Sequence, residues 1–281
     1  MKKAIWFLFL FAALGLTFNA CTKDENDVTV TETFTEDSED VALAFDFSED
    51  VEEEIDMTME ELGLGISIRS ACPTVTVTPD RNTFPRTIVI DYGTDGCKGR
   101  GGRTRTGKIL IVQSDSMNVP GATRTVTLEN FTVDSAKVEG MRTITYKGRN
   151  DKGYPYFTWQ LANGKITYPN GKSVTWSNDY TRTQITGFNT KIHLDDVFVI
   201  TGSGKGVNRN GNAFTKTITE PLVRNANCRW FERGAIQITV NNKTWTIDYD
   251  NGPGLCDPIA TVTLPNGEQK TIYARPWWKR G

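Results

Sequence analysis

The side chains of the 281-residue chain with the clearest chemical character are cations on a glycine-rich segment. The stretch KGRGGRTR carries Lys98, Arg100, Arg103 and Arg105. Cations spaced along a flexible loop can follow the charges of a phosphate or sulfate chain. We therefore expect these four residues to bind an anionic ligand, and the cellular compartment decides which anion that is.

Aromatic residues are a second candidate for binding. Trp159 and Trp176 lie in a stretch that is also rich in tyrosine, and such rings can stack on the faces of sugars. Aromatic residues in sheets are more often core residues or cross-strand pairs. The sequence leaves both interpretations open and favours the second.

Catalytic chemistry has little support in the sequence. The chain has one histidine, His193, and no serine motif of the Gly-x-Ser-x-Gly type accompanies it, so an ordinary strand histidine is the favoured interpretation. One histidine also argues against zinc, and we expect no metal or cofactor. Paired carboxylates from Asp195, Asp196 and Glu232 would make a glycan-processing enzyme the alternative, because such partners need only meet in space.

The N-terminus indicates export. Lys2 and Lys3 precede a short apolar run that is typical of a secretory signal and falls short of the roughly 20 residues of a membrane span. The following Phe18-Asn19-Ala20-Cys21 resembles a lipobox, in which the cysteine is acylated and becomes the new N-terminus. We expect residues 1–20 to be a lipoprotein signal peptide and Cys21 to carry the palmitate-type anchor. Ordinary cleavage that leaves Cys21 as a free thiol is the alternative.

The residues after Cys21 indicate a cellular location. Residues 23–27, KDEND, resemble the acidic signal with which Bacteroidota send lipoproteins to the outer face of the outer membrane. In that compartment nucleic acid is excluded as a partner, and anionic glycan or an envelope protein is expected. Ser116 and Ser135 each stand in an Asp-Ser-apolar triplet that matches a bacterial O-glycosylation motif.

Charge divides the chain into two parts. Residues 22–65 hold 17 acidic residues and one basic residue, whereas residues 66–281 hold 29 basic and 17 acidic residues. We expect an acidic tether over 21–65 that is disordered up to residue 47. Apolar residues at helical spacing predict a short helix near 49–62, which packs on the domain or, less favoured, binds a partner. The tether can also lie across the basic domain and mask it.

The basic part, 66–281, is predicted to be an all-β domain. Runs of β-branched and aromatic residues alternate with turn residues, which predicts an antiparallel meander of hairpins in one long twisted sheet or an elongated sandwich. Related hairpin modules occur at 72–113 and 228–273. After Cys21 is set aside, four cysteines remain, and hairpin symmetry favours the disulfides Cys72–Cys97 and Cys228–Cys256 over the other two connectivities.

The chain resembles a group of uncharacterised Bacteroidota lipoproteins between about Cys72 and Tyr273. The resemblance is carried by residues 96–109, GCKGRGGRTRTGKI, by 201–204 with 208–212, and by 228–230, CRW. It implies an outer-membrane lipoprotein and no particular activity. We therefore expect an outward-facing, lipid-anchored binding or structural module that is not an enzyme. A periplasm-facing envelope scaffold is a further alternative.

Overall fold

The computed structural model describes residues 25–64, 72–99, 102–250, 252 and 256–276. One helix, α1 (Glu25–Gly63), is followed by fourteen strands. The strands are β1 (Thr74–Thr78), β2 (Arg86–Asp91), β3 (Cys97–Lys98), β4 (Thr104–Gln113), β5 (Thr123–Val133), β6 (Ala136–Arg149), β7 (Pro155–Thr167), β8 (Ser173–Thr186), β9 (Val197–Val207), β10 (Ala213–Asn225), β11 (Arg233–Val240), β12 (Lys243–Asp248), β13 (Ile259–Thr263) and β14 (Gln269–Tyr273). A 3-10 turn, His193–Asp195, precedes β9.

All the strands belong to one antiparallel sheet. Each strand pairs with the next along the chain, except that β3 is a two-residue strand that pairs only with β4, beside β2. The prediction of an antiparallel all-β meander is confirmed, and of its two forms the single long sheet is the observed one. Turn residues make these connections possible: Asn241 and Asn242, both with positive φ, form the two-residue turn between β11 and β12.

Helix α1 differs from the prediction. It has 39 residues, so the expected disorder up to residue 47 is wrong from Glu25 onward, and the helix is not a short one near 49–62. Between Asp40 and Ile55 almost every side chain is buried, the acidic ones included. A helix that is buried on all its faces lies in the interior of a fold, and here the sheet curls around it.

The core therefore has a helical centre. Phe47 and Ile55 of α1 are fully buried together with Ile88, Ile111 and Ile236 of the sheet. Helix α1 is rich in threonine, valine and like charges, which are unfavourable for an isolated helix. Contacts with the sheet thus stabilise the helix, and the acidic segment is part of the folded domain.

Both predicted disulfides are present. Cys72 bonds to Cys97 and Cys228 bonds to Cys256. They belong to the two related hairpin modules, which lie at opposite ends of the strand order, with β1 and β2 at one end and β12 to β14 at the other. Each disulfide thus closes a loop at one end of an open sheet.

Candidate functional site

The inner face of the sheet carries arginines whose partners are the acids of α1. Arg105 binds both oxygens of Asp50, at 3.2 and 2.7 Å, and lies 3.3 Å from Glu54. Other pairs of this kind are Arg103–Asp46, Arg124–Asp56, Arg142–Glu52, Arg182–Glu49, Arg209–Asp40, Arg224–Glu49 and Arg229–Asp46. We call this set the ion-pair core. Its arginines hold the helix inside the sheet, and all of them are largely buried except Arg229, whose side chain is 25% exposed.

The ion-pair core changes the interpretation of the basic run. Arg103 and Arg105 are 4% and 1% exposed, so they do not form an exposed anion-binding loop as predicted. Lys98 is exposed at the end of β3, and Arg100 lies outside the described residues. The prediction fails because a guanidinium in a sheet points to one face or the other, and the inner face supplies carboxylates at hydrogen-bond distance.

The two tryptophans are core residues. Trp159 is 8% exposed, and the guanidiniums of Arg142 and Arg182 lie 5.0 and 4.4 Å from its ring centre. Trp176 is 5% exposed and points inward from β8. Neither offers an open ring face for stacking on a sugar, so the core interpretation replaces the stacking one.

His193 is buried and hydrogen-bonded. Its backbone N–H donates to Glu60 of α1 at 2.7 Å, and its Nδ1 lies 3.1 Å from Asp196 Oδ2. Burial opposes protonation, but the hydrogen bond with Asp196 and the charge of Asp56 outweigh it, so the pKa of His193 is raised above its ordinary value. His193 follows β8 in a connecting segment and begins the 3-10 turn, so it is not a strand residue.

The remaining predicted positions are scattered. Ser135 is exposed in the turn between β5 and β6, whereas Ser116 is half-buried between β4 and β5. Asp195 accepts a hydrogen bond from Thr190 at 3.0 Å. Glu232 lies in the loop before β11, outside the pocket that Asp196 lines. Cys21 lies outside the described residues, so its lipidation stays a prediction.

A groove on the outer face of the sheet is the candidate site. It crosses β7 to β11 near their hairpin ends and has a volume of about 880 Å³. Outward-facing residues of these five strands line its walls: Lys165, Thr175, Ser177, Lys205, Val207, Ala213, Thr215 and Thr239, with Asn163, Asn241 and Asn242 in the turns and bulges. Gly164, Trp176, Gly206 and Phe214 complete the lining. We call this surface the lysine groove.

Strand register brings the two lysines together. Lys165 of β7 lies opposite Thr175 of β8, and Lys205 of β9 lies opposite Ser177, two residues further along β8. Two strand spacings and a shift of two residues separate their Cα atoms by about 12 Å. The lysines therefore flank a strip of hydroxyl groups.

The charge of the lysine groove is not compensated within it. None of its lining residues is acidic. Neither Lys165 nor Lys205 has an ion pair within the described parts of the chain; the nearest acid by register, Glu139 opposite Lys165, is held by Lys137 at 2.8 Å. In contrast to the arginines of the ion-pair core, Lys205 is exposed and Lys165 is only half-buried, so both can reach a ligand.

Local sequence explains the shape of the groove floor. Gly206 lies between Trp176 and Phe214 on neighbouring strands, and a Cβ on Gly206 would lie 2.7 Å from the Phe214 ring. The glycine therefore lets the two rings close the floor from the inner side, while the outer side keeps hydroxyl and amide groups. An arrangement of two cations, hydroxyls and amides can bind a polyanion that also has hydroxyl groups.

Sequence reasoning did not find this groove. Lys165 and Lys205 are forty residues apart in different hairpins, and only the β7–β8–β9 register brings them to one face. The signal that the sequence does contain is period-two alternation, since Lys165 and Lys205 stand at outward positions of their strands.

Comparison with known proteins adds no function. No protein-family model matches the chain, and no curated protein or solved structure is similar to it. In the described part of the chain, no helix combines the length and apolarity that a membrane crossing needs. The same residues contain no cluster of three histidine, cysteine or acidic side chains arranged for a metal ion.

Proposed function

We propose that the protein is an exported, lipid-anchored binding module that holds an anionic glycan in the lysine groove. The observation that carries the proposal is the pair of lysines, Lys165 and Lys205, which form no ion pair within the described residues and lie across a strip of hydroxyl groups. The ligand that fits this chemistry has both negative charges and hydroxyl groups, as a uronic or sulfated oligosaccharide does.

The arrangement of the arginines supports the proposal that Lys165 and Lys205 bind the ligand. The ion-pair core matches buried arginines with the acids of α1, so the basic excess of residues 66–281 does not make the outer surface strongly basic. Anions bind where exposed cations converge, and the described groove brings two lysines together. Charge attraction of this kind weakens with salt, because exposed charges are screened over about 8–10 Å at physiological ionic strength.

The cellular location is part of the same proposal. The lipobox-like residues before Cys21, the acidic residues after it and the two disulfides fit an oxidising, extracytoplasmic site. We propose the outer membrane with the groove facing outward. Protease treatment of intact cells tests this directly: the β domain is expected to be digested, and survival until the outer membrane is permeabilised would overturn the outward orientation.

The binding test compares two pairs of lysines. The full chain is purified as wild type, as K165Q/K205Q and as the control K147Q/K152Q, which removes two exposed lysines of β6 and its following turn. Binding to heparin, oligouronate and neutral dextran is measured by calorimetry at low and physiological salt. We expect binding to an acidic glycan and a loss of tenfold or more only in K165Q/K205Q. Equal losses in both variants, or equal binding to dextran, would contradict a specific groove.

A further inference from the structure

A second cavity lies on the inner side of the sheet, at the C-terminal end of α1. The last turns of the helix, strands β5 to β9 and the segment 188–193 enclose a volume of about 430 Å³. We call it the His193 pocket. It shares no lining residue with the lysine groove. Its volume falls in the range of sites that bind small organic molecules.

One part of the pocket wall is apolar and aromatic. Phe157 and Phe198 of the sheet and Phe188 of the closing segment line it, together with Met59 of α1 and Ile144 of β6. Methionine and phenylalanine side chains pack well against an aliphatic chain or a ring. This wall suits the apolar body of a ligand.

The deeper wall is polar, and its charges are already matched. Arg182 is sandwiched between Trp159 and Phe198, at 4.4 and 3.8 Å from their ring centres, and pairs with Glu49. Asp56 pairs with Arg124 at 3.0 Å. A charged group that reached this deeper wall would therefore have no partner there in a partly enclosed space, which is costly.

Hydrogen-bonding capacity remains in the same wall. The Nε–H groups of Arg124 and Arg182 are buried and have no hydrogen-bond partner. An unsatisfied buried donor costs about 1–3 kcal/mol, which a ligand oxygen can offset. Asp196 and Glu60 accept one or two bonds each and have lone pairs for further donors. A head group that both accepts and donates, such as a hydroxyl, satisfies both sides.

The entrance of the pocket has exposed apolar residues beside Lys191, which is exposed and also lines the pocket. Ile192 lines the pocket and is 54% exposed, and its neighbour Leu194 is 45% exposed. At the end of α1, Leu64 follows the lining residue Gly63 and is 47% exposed. Exposed apolar residues collected around an opening mark an interaction site for apolar groups. Apolar side chains are thus concentrated at the mouth, whereas the polar Arg182 and His193 are buried inside.

We propose that the His193 pocket binds an uncharged amphiphile of roughly 20 non-hydrogen atoms, whose hydroxylated head enters first and whose aliphatic part fills the mouth. An alkyl glycoside or another glycolipid-like molecule has this chemistry. The inference is independent of the lysine groove, which lies on the other face and requires negative charge.

The single histidine provides a site-specific probe. The full chain is labelled with carbon-13 histidine, so His193 gives the only imidazole signal. It is titrated, below the micelle concentration, with three amphiphiles of equal chain length: octyl glucoside, octanoate and octylammonium. We expect a saturable shift of the His193 signal with octyl glucoside and at least tenfold weaker binding of the two charged amphiphiles.

Two exposed apolar residues provide matched variants. I192D places a charge at the pocket mouth, whereas M141D places one at an exposed apolar residue that does not line the pocket. We expect I192D to weaken octyl glucoside at least fivefold and M141D to leave it unchanged. The proposal is overturned if the His193 signal does not shift, if the three heads bind equally, if a charged head binds more tightly, or if both variants weaken binding alike.

Discussion

The replacement of Arg105 by methionine tests whether the acidic helix is held by buried ion pairs. Arg105 is 1% exposed and is bound by Asp50 at 2.7 Å and Glu54 at 3.3 Å. Methionine keeps most of the volume but leaves two buried carboxylates without this partner. Breaking a buried pair in this way costs about 3–5 kcal/mol. We expect R105M to lose that amount of unfolding free energy.

A double-mutant cycle separates this pair from general disruption. R105M, D50N and R105M/D50N are compared by urea denaturation of the full chain at pH 7. Because D50N removes one of the charges that R105M leaves unpaired, the double variant should lose about 1–3 kcal/mol less than the sum of the single variants. The cycle K108A and D91A is the control, since this pair at 2.9 Å joins β2 to β4, the strand that also carries Arg105, but its side chains are partly exposed. Its coupling should not exceed about 1 kcal/mol.

The result that would refute the reasoning is a small effect. If R105M costs less than about 1 kcal/mol and couples no more strongly to D50N than K108A does to D91A, the acids of α1 do not lie against the sheet arginines. The segment would then behave as the solvated tether that its composition suggests, and the arginines of the inner face would be free for ligands.

Three further predictions concern other parts of the fold. Burial lowers the pKa of Lys216 to about 7, whereas its unfolded pKa is about 10.5. Burying this lysine therefore costs stability, fully below pH 7 and progressively less as the pH rises to 10.5. K216M should gain about 2–3 kcal/mol of unfolding free energy at pH 7, after loss of the Phe45 contact, and little at pH 10, as measured by urea denaturation. The raised pKa of His193 contributes stability below pH 6.5 that is lost as the pH rises through the folded value, so H193Q should lose more stability at pH 5 than at pH 9, and a pH-independent loss would contradict the contacts with Asp196 and Asp56. C228S/C256S should lower the unfolding free energy by about 3–4 kcal/mol, and an unchanged urea midpoint would show that the disulfide does not constrain the unfolded chain.

The β part of the fold is predictable because its signals are local. Alternating β-branched residues and turn residues set the strands, as in β1, Thr74–Thr78, where the sequence TVTVT alternates exposed and half-buried positions. Strands such as β6 and β7 reach 14 and 13 residues, because polar outward positions continue a strand once a neighbour pairs with it. The disulfides followed from hairpin symmetry for the same local reason.

The helix and the site were not predictable in this way. The composition of residues 25–47 indicates disorder when its acids are assumed to face water, and only the arginines brought together by the curled sheet make burial favourable. The prediction of an exposed basic loop was wrong for Arg103 and Arg105, because the nearby sequence does not show which face of the sheet each side chain occupies. The lysine groove depends on pairing between three strands, which is a long-range property.

The measurement that tests the binding proposal most directly is lysine footprinting. The full chain is acetylated briefly with and without an acidic glycan, and the rate at each lysine is read by mass spectrometry. We predict that Lys165 and Lys205 react readily in the free protein and are protected by the glycan, whereas Lys147 and Lys152 react equally in both samples. Protection of all four lysines alike, or of none, would contradict the proposal that the lysine groove is the binding site.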